Sequence, residues 1–534
     1  MVPDPLPAPD SIAYSRAVEE ASGHQHGEEP DLTADLPPSR KPGGGSRRPI
    51  ALRIAVALTA GVVVLLAILT STGLLTGHPV GAADNGDGSR LYCGAGLAPA
   101  TPDGRSNWQG AVVLLFHRVS PCAEPIPSPA GTILRAAVHG TSNPWSLTHL
   151  GWLYAALAAA AFSVATWAAT RTGLLKALVL VPPVLPLADK DFSRFFVSTF
   201  SEPAGLLGAF VLVCGAVVVW INGRAHRLER TAGLVLVAGG GLLAATAKTA
   251  YVPLLGVAVL ICAMTAVQVR RGERHWYDRL GPSVLALLTV FLAVGPLTTA
   301  AAWQARHYPA INAHNLIYTT VLTEVPNATA VLGLPPAAAS PRYAGEAYYP
   351  GEGKGVPGAD VVASAPGAEQ KLAWHVLADH PAALLNAVGI AMQATEGRAL
   401  TYLPSVAWTP GTPLPASALA GEQGATGPSL RAWLDGMSTP WLPSLLAMLG
   451  IAAGIAGAAR RRSTWSLFAR VAGMAGLSSV LLAVVAVLGD GYFEIAKHVW
   501  LAAYLLDVTT FALAGLVVSV IVQRYSRRAR GRAA

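Results

Sequence analysis

The chain has 534 residues and a net charge of +8, and 52% of its residues are hydrophobic while only 13% are charged. Ordinary soluble domains carry roughly a quarter charged residues, so this composition excludes that class and indicates a chain built largely for a bilayer. No basic stretch alternates with aromatic residues as in a nucleic-acid groove. We therefore expect no nucleic-acid partner and attribute the positive charge to membrane topology.

The first 48 residues form a separate segment. Residues 1–48 are rich in proline, glycine and acidic residues and show no apolar face. That composition is typical of disordered segments. No small-residue cleavage pattern follows the first apolar run. We predict a disordered cytoplasmic tail, followed by an uncleaved signal anchor.

Apolar runs of membrane-spanning length recur along the rest of the chain. About ten such spans are predicted, at 51–75, 151–170, 174–188, 203–221, 231–247, 250–268, 280–303, 441–459, 465–488 and 498–522. A backbone in lipid must satisfy its own hydrogen bonds, so these runs are expected to be helices. The predicted fold is an all-α polytopic membrane protein, in which 174–188 and 231–247 are short for a full crossing.

Basic residues indicate the orientation of these spans. They cluster in alternate short connections and near both ends of the membrane region: Arg47, Arg48, Arg53, Arg171, Lys176, Arg224, Arg227, Arg230, Arg270, Arg271, Arg274, Arg279, Arg460–Arg462, Arg524, Arg527, Arg528, Arg530 and Arg532. If every span is real, all of them fall on one side, which the positive-inside rule makes cytoplasmic. We expect a multi-pass protein of the cell membrane with both termini in the cytoplasm.

This topology divides the chain into segments. A membrane module at 49–303 contains the first external loop, 76–150, and is followed by an extracytoplasmic loop domain at 304–440. The C-terminal membrane helices at 441–523 precede a basic cytoplasmic tail at 524–534. The loop domain is too long for a bare connector. Apolar residues at helical spacing over Glu369–Thr395 predict a partly helical cap, interrupted at Pro381.

Four cysteines fall into two pairs. Cys93 and Cys122 both lie in the first external loop, the compartment expected to be oxidising. We predict a disulfide between them, with two free thiols as the alternative. Cys214 and Cys262 lie inside predicted spans, where a thiol behaves as a small apolar residue.

Acidic residues lie just beyond the first span, in Asp84-Asn85-Gly86-Asp87-Gly88. Two carboxylates at the outer membrane face suit chemistry on a lipid-linked substrate, although Asn-Gly and Asp-Gly also form ordinary polar turns. Glu202 precedes Pro203 at the start of a predicted span, where it either caps the helix or faces the two aspartates. Asp84 and Asp87 would also suit a bridging Mg²⁺ or Mn²⁺, a question left open by the sequence.

Basic residues occupy the same predicted level. Lys248, Lys497 and His498 lie at external ends of spans, and Arg194 lies in the same external stretch as Glu202. A lysine at this depth either snorkels to the interface or forms an anion site for a lipid phosphate. Acids and bases that meet at one interface suit a reaction whose leaving group is a phosphate.

This arrangement resembles the GT-C superfamily of membrane glycosyltransferases and, within it, bacterial glycan-biosynthesis hexose transferases of the WsfD type. Short pieces in a fixed order carry the resemblance: Asp84-Asn85-Gly86-Asp87-Gly88-Ser89-Arg90, Phe200-Ser201-Glu202-Pro203, Asn312-Ala313-His314-Asn315 leading into Thr320-Val321-Leu322, His375–Pro381, and Gly489-Asp490-Gly491 with Lys497-His498. They cover most of the chain from residue 50 onward and match least well across 340–440. The resemblance implies a polyprenyl-phosphate-linked sugar donor, a catalytic acid in the first external loop and a further acid in a later one.

The resemblance also implies a reaction. The chain is expected to transfer a hexose or related sugar from the polyprenyl phosphate to a cell-envelope glycan or protein acceptor on the external face, with inversion. Asp87 or Asp84 would take the proton of the acceptor hydroxyl, with Glu202 second. Four basic groups would stabilise the leaving phosphate: Lys497, His498, Arg194 and Lys248.

A transporter or flippase for a lipid-linked glycan is the main alternative. Such proteins usually carry ionisable residues deep in their spans. The clearest one here is Asp507, roughly 12 Å into the last predicted span. No paired broken helices or inverted repeat stand out. A non-catalytic scaffold would leave the ordered external acids unexplained, so an enzyme is favoured.

Overall fold

The computed structural model describes residues 50–102, 104, 111–269, 275–397, 400, 402–409, 411–413, 439–460 and 463–533, with side chains as far as residue 528. The predicted tail at 1–48 lies outside the described residues. So do residues 414–438 of the predicted loop domain and several of the arginines used for the topology prediction.

The chain forms a succession of helices with a few very short strands. In the first part these are α1 (Ile50–Ser71), α2 (Ser89–Tyr92), β1 (Leu97–Pro99), β2 (Val112–Val113), β3 (Leu115–Arg118), α3 (Pro129–Val138), β4 (Trp145–Ser146), α4 (Thr148–Ala169), α5 (Leu174–Ala177), α6 (Lys190–Ser193), α7 (Glu202–Ile221), α8 (Arg227–Ala247), α9 (Val252–Met264) and α10 (Leu280–His307).

The second part begins with α11 (Pro309–His314), which a π-helical segment, Asn315–Val321, joins to α12 (Leu322–Glu324). The remaining elements are α13 (Ala359–Ser364), α14 (Pro366–Asp379), α15 (Pro381–Ala394), β5 (Ala407–Trp408), α16 (Leu442–Ala458), α17 (Thr464–Asp490), α18 (Ile495–His498) and α19 (Trp500–Ala533).

The predicted all-α membrane class is confirmed, because the described residues are predominantly helical with almost no sheet. Seven helices among the described residues are long and apolar enough to cross a membrane, namely α1, α4, α7, α8, α10, α17 and α19; Thr249–Met264 and Leu442–Ala458 are shorter apolar helices. Large apolar side chains point outward from this bundle, as with Phe291 (76% exposed) on α10 and Leu58 (59%) on α1. Apolar surface of this kind on helices of membrane-spanning length indicates contact with the lipid bilayer.

The prediction of one helix at 174–188 is wrong. α5 ends at Ala177, and two short 3₁₀ turns follow, Leu178–Leu180 and Leu185–Ala188. Pro182, Pro183 and Pro186 explain the break, because proline removes a backbone donor and clashes with the preceding helical turn. One side of the run is buried in protein, with Val179 and Leu187 at 1% exposure or less, whereas Leu175 (76%) and Leu178 (53%) face outward. Its apolar character fits contact with protein or lipid and does not by itself predict a helix.

This irregular segment nevertheless runs the length of the bundle. Arg171 lies 3.7 Å from Glu229 at the start of α8, whereas Glu202 contacts Lys248 just beyond the end of α8. A helix of the length of α8 spans roughly 30 Å. Irregular backbone at such depth is tolerated where protein surrounds it. Here the Tyr504 hydroxyl donates to the Pro183 carbonyl over 2.9 Å.

Ion pairs join three helices at the opposite end of the bundle. Arg53 near the start of α1 donates to the Glu229 carboxylate over 2.9 Å, and Arg171 after α4 approaches the same carboxylate. These residues were predicted to share one side of the membrane, and the fold places them together.

The loop at 76–150, which the sequence predicts to be external, contains a small folded unit among its described residues. β1, β3 and β4 form an antiparallel sheet, and β2 pairs in parallel with β5 from the later loop. Cys93 and Cys122 are joined by a disulfide, with their Cα atoms 5.3 Å apart, as the sequence predicts. These strands are a minor addition to the all-α expectation. They fix the loop that follows α1 against the bundle.

The later loop has a core of its own. Side chains of the π-helical segment, among them Leu316, Ile317 and Val321, pack with Val376 and Leu377 of α14. α14 and α15 separate at His380, and Pro381 is the first residue of α15, where proline is tolerated. The predicted interruption of this helical stretch at Pro381 is therefore confirmed.

Candidate functional site

A cavity of about 680 Å³ lies at the end of the bundle that carries the loops. Its wall is formed by the loop after α1, the start of α7, the turn after α8, and parts of α10, α17 and α18. The charged and amide side chains on this wall include Asn85, Asp87, Glu202, Lys248, Asp490, Glu494, Lys497 and His498. Segments separated by hundreds of residues therefore contribute charged groups to one space.

Asp87 and Lys497 form the central contact of the cavity. Lys497 Nζ lies 2.5 Å from Asp87 Oδ2, 3.4 Å from Glu494 Oε2 and 3.3 Å from Asn85 Oδ1. The Lys497 side chain is 2% exposed, whereas that of Asp87 is 51% exposed, toward the cavity. The lysine is thus a fixed cation within the wall, and the aspartate presents its carboxylate to the space.

Charge and burial act in opposite directions on this pair. Burial would raise the pKa of Asp87, but the cations around it, Lys497 first and then Lys248 and Arg90, together hold that pKa below its ordinary value of 3.8. Burial would lower the pKa of Lys497, yet the surrounding carboxylates, Asp87 first, hold it above its ordinary value. Both groups are therefore charged at neutral pH.

Glu202 and Lys248 form a second pair on the same wall. Lys248 Nζ donates to Glu202 Oε1 over 2.9 Å, and the two side chains are 20% and 3% exposed, respectively. Ser201 donates to the other carboxylate oxygen over 3.3 Å. Glu202 does lie in the first turn of α7, where the helix dipole favours an acid. Its carboxylate is nevertheless committed to Lys248.

Glycines bring these two ends together. α7 and α8 pack closely because Gly208, Gly215 and Gly240 leave no room for a side chain; a Cβ at Gly240 would collide with the Leu212 backbone. Small residues of this kind allow helix backbones to approach in membrane proteins. The close packing holds the start of α7, with Glu202, against the end of α8, with Lys248.

His498 is the third basic group of the cavity. His498 Nε2 lies 3.1 Å from Asp490 Oδ2, and the two side chains are 19% and 16% exposed. Asp490 Oδ1 in turn accepts a hydrogen bond of 2.7 Å from Asn315 Nδ2. The imidazole is thus held at the cavity wall by a carboxylate that is itself anchored.

Asp84 lies behind the cavity wall rather than on it. It is 5% exposed, and its Oδ1 accepts from the backbone N–H groups of Gly86 (2.8 Å) and Gly88 (2.7 Å). Gly88 is required here, because a Cβ would collide with Thr199 and press on the Asp84 carboxylate. The turn interpretation therefore describes Asp84, and the turn it holds directs Asp87 into the cavity.

Arg194 also lies outside the cavity. It is 1% exposed, and its guanidinium donates to the backbone carbonyls of Leu403 (2.8 Å) and Leu400 (3.4 Å). Its predicted place among the phosphate-binding groups does not match this position. It fastens the segment before α7 to the later loop.

The oxygen ligands for a bridging metal do not converge. Asp84 Oδ1 is occupied by two backbone donors, and Asp87 is paired with Lys497. Within the described part of the chain, no group of three His, Cys, Asp or Glu residues is placed to hold a metal ion. The geometry of Asp84 and Asp87 does not fit a metal bridge.

Three site residues were missed by the sequence reasoning. Asn85 and Glu494 both contact Lys497, and Asn85 Nδ2 also donates to Glu494 Oε1 over 3.2 Å. Arg90 stacks over the rings of Tyr308 (4.5 Å) and Trp303 (5.6 Å), two residues of the cavity wall. The spacing of Glu494 and Lys497 along one helical turn was a usable signal. No comparable sequence signal pointed to the contacts of Arg90 with Tyr308 and Trp303.

The family described as YfdI N-terminal transmembrane domain matches residues 48–355, more than half of the chain. Neither the curated proteins nor the solved structures that were compared give a match. The matched stretch contains α1 to α12, the loop at 76–150, and Asp87, Glu202 and Lys248 of the cavity. The chain belongs to the family of the YfdI N-terminal transmembrane domain.

Proposed function

We propose that this protein is a membrane glycosyltransferase of the GT-C type, which transfers a sugar from a polyprenyl-phosphate donor to a glycan or protein acceptor on the external face. The observation that carries the proposal is the cavity itself, where Asp87, Lys497 and His498 meet the Glu202–Lys248 pair. Membership of a glycosyltransferase-like membrane family supports it. So does the resemblance to the WsfD type.

Asp87 is the best-placed general base. Its carboxylate is ionised at neutral pH and half of its side chain is accessible from the cavity, whereas the Glu202 side chain is 3% exposed. A base must reach the proton that it takes. In the proposed step, the acceptor hydroxyl oxygen attacks the anomeric carbon and its proton passes to Asp87. A single displacement of this kind inverts the configuration at that carbon.

The cations of the cavity suit the leaving group. As the bond between the anomeric carbon and the phosphate oxygen breaks, its electron pair stays on the phosphate, which gains a negative charge. Lys497, Lys248 and His498 line the same space as Asp87. Fixed positive groups aimed at developing charge stabilise a transition state without reorganising.

The apolar part of the wall suits the lipid. Small side chains of the turn after α8, of α10 and of α17 line the cavity beside the charged groups: Ala247, Ala250, Ala300, Val485 and Ala486. An apolar wall of this kind accommodates a hydrocarbon chain next to a polar headgroup. A donor with a phosphate at the lysines and a polyprenyl tail along this wall would use both surfaces.

The transporter alternative gains one observation, which is the irregular crossing at 174–188. Broken helices in transporters line the substrate site. Here none of the residues from 174 to 196 lines the cavity, and Val179, Leu180 and Leu187 are fully buried in the protein. Because the segment packs within the bundle and does not line the cavity, it does not resemble a transporter's substrate site, and we prefer the transferase.

The test is a transfer assay with the full chain in proteoliposomes and a labelled polyprenyl-phosphate hexose. Asp87→Asn should lower transfer at least about a hundredfold, because asparagine cannot take a proton. The matched control is Asp379→Asn, which changes an exposed acid at the end of α14, away from the cavity. Full transfer by Asp87→Asn, or movement of the intact donor across the bilayer without transfer, would refute the proposal.

A further inference from the structure

The closing segment of α17 docks onto the π-helical segment in an unusually constrained way. Gly491 has a φ of 58°, and a Cβ there would lie 2.5 Å from Thr319 Oγ1 and 2.7 Å from the Asn315 carbonyl oxygen. Only glycine fits, both for its backbone conformation and for its space. The Tyr492 N–H donates to Thr319 Oγ1 over 2.8 Å. The last turn of α17 is therefore locked against residues 315–319.

A π-helical turn widens the helix by one residue, and such turns are frequent at functional sites. In this one, Asn315 is fully buried and uses both ends of its amide. Its Nδ2 donates to Asp490 Oδ1 over 2.7 Å, and its Oδ1 accepts from the Tyr348 N–H over 2.8 Å. The amide thus has one orientation, and the Asp490 carboxylate is held from behind.

Asp490 links the buried Asn315 to His498 on the cavity wall. An ionised carboxylate only accepts, so the 3.1 Å contact places a proton on His498 Nε2. His498 also lines the cavity, so its other ring nitrogen, Nδ1, can serve a ligand. A carboxylate behind a histidine fixes the ring orientation, and in the imidazolium form both ring nitrogens donate, one to the carboxylate and the other to an anion.

We propose that Asp490 and Asn315 are positioning residues for His498, which in its imidazolium form donates one hydrogen bond from Nε2 to Asp490 and another from Nδ1 to the phosphate of the lipid substrate. The later loop, through its π-helical segment, thereby helps to set the phosphate-binding geometry of the membrane cavity. This inference rests on the proposed function and adds how one of its groups is oriented.

The experiment measures binding of a polyprenyl monophosphate to the full chain in nanodiscs, for the wild type, Asp490→Asn, His498→Gln and the double variant. Loss of one charge-assisted hydrogen bond should weaken binding about tenfold in each single variant. The double variant should be no more than about twofold weaker than His498→Gln alone, since Asp490 acts through His498.

Glu324→Gln is the matched control. Glu324 accepts from the Tyr492 hydroxyl over 2.6 Å and from Asn386 over 2.8 Å, so it braces the same segment without lining the cavity. Its binding should stay within about twofold of the wild type. Asn315→Ala provides a second route if Asp490→Asn does not fold. Asn315→Ala alone should weaken binding about threefold relative to the wild type. Added to His498→Gln, it should weaken binding no further.

The outcomes separate the two proposals. If the wild type binds and Asp490→Asn behaves as Glu324→Gln, or if the effects of Asp490→Asn and His498→Gln multiply fully, the positioning role is refuted while the proposed function stands. If the wild type shows no binding of the polyprenyl monophosphate, the proposed function fails and the positioning role fails with it.

Discussion

Replacing Lys497 with methionine is expected to destabilise the protein, chiefly through the carboxylate left behind. Methionine keeps much of the length of lysine but cannot pair with Asp87, 2.5 Å away, or with Glu494, 3.4 Å away. Removing one partner of a buried pair typically costs roughly 3–5 kcal/mol. Because the Asp87 side chain is 51% exposed to the cavity, water can solvate its orphaned charge, and we expect a loss of about 2 kcal/mol.

The loss should depend on pH in a defined direction. The pKa of Asp87 is lower in the folded protein than its ordinary value of 3.8, although burial opposes this, because Lys497 stabilises the charged form. A depressed folded-state pKa adds stability above the unfolded pKa, and that stability disappears as the pH falls through the folded pKa. The difference between the wild type and Lys497→Met should therefore be full at neutral pH and shrink below about pH 4.

A double-mutant cycle with Asp87→Asn in detergent, read by thermal or denaturant unfolding, measures the pair. Lys497→Met should cost less when Asp87 is already asparagine, because no carboxylate is then left unpaired. Lys354→Met is the control, since Lys354 and its partner Glu352 are 82% and 53% exposed. That surface pair should contribute no more than about 0.5 kcal/mol. A cost for Lys497→Met equal to that of Lys354→Met, or full additivity with Asp87→Asn, would refute the reasoning.

Three further predictions test the surroundings of the cavity. Asp84→Ala should lower the free energy of unfolding by about 2 kcal/mol, because the N–H groups of Gly86 and Gly88 lose their acceptor, whereas Asp84→Asn keeps one. Transfer assays should then find Asp84→Asn far more active than Asp87→Asn, and equal losses would contradict the assigned roles. The Cys93–Cys122 disulfide closes a loop with a sequence separation of 29; its removal by Cys93→Ser and Cys122→Ser should cost about 3.5 kcal/mol, and peptide mapping that finds two free thiols would overturn it. An impermeant maleimide should label Ser340→Cys in intact cells but Ser526→Cys only after lysis, and the reverse pattern would invert the predicted topology.

Much of the fold could be predicted because span length is a one-dimensional signal. Every predicted span other than 174–188 is a helix, and the ends of those helices define two levels in the bundle. Counting crossings was then enough to put Asp87, Glu202 and Lys497 at one level, where the structure places all three around one cavity. The segment 174–188 escaped this logic because apolar residues suit contact with protein or lipid in any backbone conformation, and only its prolines signalled the break in the helix.

The details of the site depend on contacts that spacing does not encode. Asp84 and Asp87 are equivalent as sequence, and only the turn conformation decides that Asp87 faces the cavity. The sequence suggested the same phosphate-binding role for Arg194 as for Lys248. In the structure, however, the Arg194 guanidinium donates hydrogen bonds to backbone carbonyls some two hundred residues later in the chain. The Asn315–Asp490 contact likewise joins distant segments. Tertiary packing fixes such pairs.

A cryo-electron microscopy structure of the full chain with a polyprenyl monophosphate in nanodiscs tests the central claim most directly. The claim predicts that the phosphate lies within about 3.5 Å of Lys497 Nζ or the His498 ring, with the polyprenyl chain along Ala247, Ala300 and Val485 of the apolar wall. A structure in which the phosphate is bound elsewhere and no lipid occupies this cavity would contradict the claim.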